Sequence, residues 1–185
     1  MLHSMISAFL VLSAGSFEEE CVNERRSVDY HLADVCDPAF GDGPVYSATF
    51  AASLTPPPAS QQVVIYRLEG EWFVRIAGFR WKAGEVVTRR LERPIADSDA
   101  AEISERITGA ALRRLGALPY YGADDAICSD GASLTLETAR NGKRISASQH
   151  SCAGKTELND LADAFRSLAL KYDPESSGLL SGLSN

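Results

Sequence analysis

Residues 128–152 read CSDGASLTLETARNGKRISASQHSC. Leu134 and Leu136 alternate with Thr135 and Glu137, and Ile145 and Ala147 alternate with Arg144, Ser146 and Ser148. A period of two sends successive side chains to opposite faces of a strand, so both halves read as strands. Asn-Gly tolerates positive φ at both central positions of a two-residue turn, which makes Asn141-Gly142 the link between them. In that register Thr138 faces Ile145, Leu136 faces Ala147 and Leu134 faces Gln149, giving one apolar face and one polar face. Cys152 falls opposite Gly131, and a bend at Ser129-Asp130-Gly131 brings it to Cys128. The expectation is a hairpin clamped at its open end by a disulfide.

The apolar face of such a hairpin needs cover, and the next segment supplies it. From Thr156, the residues Leu158, Leu161, Ala162, Phe165, Leu168, Ala169 and Tyr172 repeat at the spacing of one helix face. Asp173-Pro174 ends the helix, and residues 174–185 are expected to form a flexible tail.

Upstream, Val45 to Leu54 alternates as a strand, and Thr55-Pro56-Pro57-Pro58-Ala59 is a stiff connection. QQVVIYRLEGEWFVRIAGF, starting at Gln61, reads as a hairpin turning at Glu69-Gly70. Val63, Ile65, Arg67, Trp72, Val74 and Ile76 then share one face, the better core candidate. Val64, Tyr66, Phe73 and Arg75 share the other, which needs a helix or a partner over it. Phe79, Trp81 and Lys82 read as a bend, and Glu85 to Leu91 as a returning strand that Pro94 breaks. A helix capped by Ser98 or Asp99 runs to Gly116, with Ile103, Ile107, Ala110, Ala111 and Leu118 on its stripe. Gly109 weakens that helix by about 1 kcal/mol relative to Ala unless a close neighbour needs the space. The fold class is therefore α+β: an antiparallel sheet made of a four-stranded meander plus a C-terminal hairpin, with two amphipathic helices packed on one face. A single domain spans 45–173.

The N-terminus, MLHSMISAFLVLSAGS, has an apolar run from Met5 to Leu12 followed by small residues, without a preceding Lys or Arg. It reads as a signal peptide over 1–16, cut after Ser16. Residues 17–44 form a polar arm with no sustained period, closed into a loop by Cys21 and Cys36. Four cysteines allow three pairings, of which proximity along the chain favours Cys21 with Cys36 and Cys128 with Cys152. An even set of cysteines after a signal points to a periplasmic or secreted location. The run is shorter than the roughly 20 apolar residues a membrane span needs, and no other segment approaches that length, so no transmembrane segment is expected.

The 185 residues carry a formal charge of −7, which argues against nucleic acid as a partner because phosphate contacts need a surplus of cations. The cluster Arg67, Arg75, Arg80, Lys82, Arg89, Arg90 and Arg93 is interleaved with Glu69, Glu71, Glu85 and Glu92 and reads as a solvated face of mixed charge. There is no CxxC, HExxH or close Cys/His group, so no metal or other cofactor is expected. The Asp124, Asp125 and Asp130 pattern lacks the spacing of a calcium loop. Neither a GxSxG elbow nor a phosphate loop occurs, so no catalytic residue is assigned. The aromatic and arginine side chains Tyr66, Phe73, Arg80, Trp81, Tyr120 and Tyr121 are the candidates for a binding surface. The reading is a small exported, disulfide-stabilised protein that acts as a binding or inhibitory module on an unknown protein or small-molecule ligand. The alternative is a hydrolase acting on an extracellular polymer or ester through Asp124, Asp125, Asp130 or His150.

Overall fold

The structure is a computed structural model that describes residues 17–21, 32–52, 59–82, 85–116, 132–150 and 156–176. Among the described residues there are seven strands: β1 (Phe17–Glu20), β2 (Val45–Ala52), β3 (Ala59–Leu68), β4 (Glu71–Lys82), β5 (Glu85–Pro94), β6 (Ala132–Arg140) and β7 (Lys143–His150). Three helices accompany them, α1 (Asp97–Arg106), α2 (Gly109–Gly116) and α3 (Glu157–Tyr172). All the strands join one antiparallel sheet in the order β1-β7-β6-β2-β3-β4-β5. The fold is mixed α+β.

Turn chemistry sets the registers. Asn141 and Gly142 both have positive φ, and across that turn Thr138 pairs with Ile145, Leu136 with Ala147 and Leu134 with Gln149, the register expected from the sequence. Glu69 and Gly70 make the equivalent turn between β3 and β4, with Glu69 at φ 52. Direct pairing then lines up Leu91, Ile76, Val63, Ala48, Leu136 and Ala147 as one apolar row across six strands. The buried residues of all three helices join this row in the main core, among them Ile103, Leu112 and Phe165.

The single helix expected from Ser98 or Asp99 to Gly116 is two helices. Its first cap is Ala96, which has no side chain to offer; the Tyr172 hydroxyl accepts the Ala96 N–H instead, at 3.1 Å. The break comes at Ile107 and Thr108, where the Thr108 hydroxyl and carbonyl accept the N–H groups of Ala111 and Leu112. The break re-aims the second helix, so that Leu112 and Leu115 are buried and Ala110 is exposed. A Cβ on Gly109 would stand 2.7 Å from Ile145 Cδ1, which is why the position is glycine. The bend expected at Phe79 to Lys82 is straight strand, the end of β4, which stays paired with β5 through Lys82. The segment FEEE, read as part of an irregular arm, is β1. Leu118 and the pair Cys128 and Cys152 lie outside the described residues, as do 1–16.

At the far end of α3, Asp173 is buried and bonded by the Arg89 guanidinium from β5. Asp99 accepts hydrogen bonds from Lys171 and from the Tyr172 hydroxyl, tying α1 to α3. The bonds from Lys171 and Tyr172 hold the Asp99 carboxyl below the usual carboxylate range. A depressed folded value contributes stability above the ordinary carboxylate pKa of about 4 and loses it as pH falls further. Asp99→Asn is expected to cost about 1–2 kcal/mol at neutral pH and to flatten the acid limb of the stability curve, as read by urea unfolding at stepped pH. Gly109→Ala is expected to miss the roughly 1 kcal/mol gain of helix propensity and to recover it when Ile145→Val removes the opposing methyl, a coupling that a double-mutant cycle measures.

Candidate functional site

β3 and β4 are apolar on both faces, and the second face is covered by the arm. Val45, Tyr66, Phe73 and Ala139 form a row on that face, and Ala33, Val35 and Phe40 pack over it as a second core. The Phe40 ring centroid lies 4.7 Å from that of Tyr66, which stacks on Phe73 at 5.5 Å. A buried side chain fixes the arm's register: Gln62 Oε1 accepts the Ala33 N–H at 2.7 Å, and Gln62 Nε2 donates to the Ala33 carbonyl at 2.8 Å. The amide thus satisfies both main-chain groups of one residue, as a neighbouring strand would. Farther along, Asp34 Oδ1 accepts the Cys36 N–H and Asp37 Oδ1 accepts the Ala39 N–H, which shapes the one turn of 3-10 helix at Pro38–Phe40.

Cys36, at the end of the packed stretch, is bridged to Cys21, which follows β1; the sequence separation is 15 residues. A loop of that length gives a stabilisation of about 3 kcal/mol in the chain-entropy account. Between the bridge, the arm and the β6–β7 turn lies an open cavity of 560 Å³. Its walls are the disulfide, Val35 and Val45, the segment Gly41-Asp42-Gly43, and Ala139 through Gly142; Asp37, Asp42 and Arg140 supply charge. Gly43 lies so close to the Arg67 carbonyl that a Cβ would collide with it, so glycine lets the arm descend beside β3.

Charges beneath the arm are matched. Burial first, and then its bond to Glu92, push the Tyr66 hydroxyl well above its usual range. Burial works to raise Glu92, but hydrogen bonds from Tyr66 and Arg90 outweigh it and hold the carboxyl low. Burial lowers the Arg75 guanidinium. Arg75 therefore belongs to the interior and not to the solvated mixed-charge face expected for it.

Of the residues expected at a binding surface, Tyr66 is buried, Phe73 is half-buried beside it and Arg80 is half-buried on β4. The Trp81 side chain, Tyr120 and Tyr121 lie outside the described residues, as do Asp124, Asp125 and Asp130. His150 is half-buried at the end of β7, opposite Ser133. The structure instead brings together Asp37, Asp42 and Arg140 around the bridge. The turn signals in GDGP and NG were visible in the sequence, but nothing in a linear pattern places them side by side. Among the described residues no three His, Cys, Asp or Glu side chains cluster as a metal site, and no helix is long and apolar enough to cross a membrane. Comparison with protein-family models, with curated proteins and with solved structures finds no match.

Replacing Gln62 by Leu leaves the Ala33 N–H and carbonyl buried without partners. The expected loss is about 1–3 kcal/mol, with amide exchange accelerated first in residues 33–36, as read by hydrogen-exchange mass spectrometry. Gly43→Ala is expected to destabilise by about 1–3 kcal/mol through forced backbone displacement, measured by urea unfolding.

Proposed function

We propose that the protein is an exported, periplasmic or secreted, binding module whose ligand occupies the cavity beside the Cys21–Cys36 bridge. The observation that carries the reading is the cavity itself. Its volume falls in the range of about 300–1,000 Å³ common for small-molecule sites, and it joins apolar walls at Val35, Val45 and Ala139 to charge at Asp37, Asp42 and Arg140. Such a lining suits a small amphipathic molecule or a short peptide segment, with its apolar part on the valines and its polar groups toward the rim. The domain spans 45–173 and the arm 17–44 is its binding element, held at Cys21, Ala33 and Cys36 by the bridge and by Gln62. Export is supported by the signal-like residues 1–16 and by a disulfide that an oxidising compartment sustains.

Two measurements test the reading. Intact mass of the chain expressed with its native N-terminus in an exporting bacterial host, before and after reduction with thiol alkylation, should show a cut after Ser16 and no thiol free to react without reductant. An uncut chain whose four cysteines all alkylate overturns the compartment. A fragment screen by two-dimensional amide NMR should shift Gly41, Asp42, Gly43, Asn141 and Gly142 together; fragments that shift only other regions remove the cavity from the function.

A further inference from the structure

β1 is an edge strand with three consecutive glutamates, Glu18 to Glu20. It pairs with β7 alone, Phe17 with Ser146 through Glu20 with Lys143, and the Cys21 N–H continues the ladder to the Gly142 carbonyl at 2.7 Å. Glu18 and Glu20 are exposed and Glu19 is half-buried, so these three add no apolar burial. Three cations gather at the edge they occupy. Arg113 donates to Glu18 at 2.8 Å and Lys143 lies 3.4 Å from it, while Arg144 pairs with Glu19 and lies 3.7 Å from Asp34.

The pairs of Glu18 with Arg113 and Lys143 are exposed and individually weak, the Arg144–Glu19 pair is part-buried, and a four-residue edge ladder is short. The covalent attachment of β1 runs through Cys21. The other half of the bridge behaves differently: Cys36 sits in an arm anchored by Val35, Phe40 and the Gln62–Ala33 bonds. Breaking the bridge removes the covalent restraint on β1, while the arm keeps the Gln62–Ala33 bonds and the buried contacts of Val35 and Phe40. Both cysteines are half-buried and line the open cavity, so a soluble thiol can reach them.

We propose that the β7 edge, rimmed by Arg113, Lys143 and Arg144, is a docking surface for an acidic extended peptide, that β1 fills it from within, and that the Cys21–Cys36 bridge is the latch. Main-chain pairing along 143–146 supplies affinity and the three cations select carboxylates, the logic of strand addition to a sheet edge. A dithiol opens the latch by giving two electrons and two protons: the S–S bond becomes two cysteine thiols and the reductant becomes a disulfide. The latch is one wall of the cavity, but the edge along 143–146 is not part of its lining, and the peptide probes read that edge without the cavity's ligand.

The test uses full-length protein beside the double variant Cys21→Ser, Cys36→Ser, which opens this bridge alone. The probes are a fluorescein-labelled peptide SFEEES and its counterpart SFKKKS. In the variant, amides of Lys143–Ser146 that face β1 should exchange at least tenfold faster while the β3–β4 amides keep their protection. SFEEES should bind the variant and not the oxidised protein, and adding Arg113→Glu with Lys143→Glu should abolish that binding. Unchanged exchange at 143–146, equal binding of both peptides, or loss of protection throughout β3 and β4 each overturns the proposal, the last because the bridge would then support the whole fold.

Discussion

β3 and β4 have no solvent face, and most of the architecture follows from that. Val63, Ile65, Val74 and Ile76 point to the helices, while Val64, Tyr66, Phe73 and Ala77 point the other way. A sheet apolar on both sides must be covered on both sides. Three helices cover the first side. On the second, a stretch with no helical or strand period does the work, and among its described residues Ala33, Val35 and Phe40 are buried there with Cys36 packed against them.

Polar and covalent restraints add to this apolar contact. Gln62 provides the polar one, turning a buried glutamine on β3 into a substitute strand for Ala33. The Cys21–Cys36 bridge provides the covalent one and joins the end of β1 to the arm. The cavity forms where these devices meet the β6–β7 turn. Its shape follows from close backbone approach at Gly43 and from positive φ at Asn141 and Gly142, none of which depends on a bulky side chain. A binding site and a latch in the same corner is a direct result of covering the second face with a short, stapled arm.

Polar residues inside the molecule carry more of the organisation than their number suggests. Asp173, at the end of α3, is buried against Arg89 from the opposite edge strand, and Asp99 collects Lys171 and Tyr172. Through Tyr172 the last turn of α3 also caps α1 at Ala96, a residue without any capping group of its own. α1 and α3 are therefore registered to each other, and α3 to the sheet, by side chains far apart in sequence.

Local chemistry was legible wherever it was short-ranged. Asn141-Gly142 and Glu69-Gly70 each specify a turn, and a turn specifies every pair in its hairpin. Thr156 with the stripe from Leu158 to Ala169 specifies α3 down to its cap, because cap, period and stop all lie within one stretch of chain. The same reasoning missed β1, since three consecutive glutamates have no preference for a strand until Arg113, Lys143 and Arg144 stand beside them. It joined α1 to α2 because the apolar stripe continues past Ile107 and Thr108, where the helix breaks. Tyr66 looked like a surface aromatic because the arm that buries it shows no periodicity. The sequence by itself determined strands β2 to β7, the turns and the existence of an amphipathic cover, because these depend on residues a few positions apart. Only the tertiary structure decided which segment shields the second face, where β1 goes and which charges share a corner, because those depend on contacts between elements that no local pattern encodes.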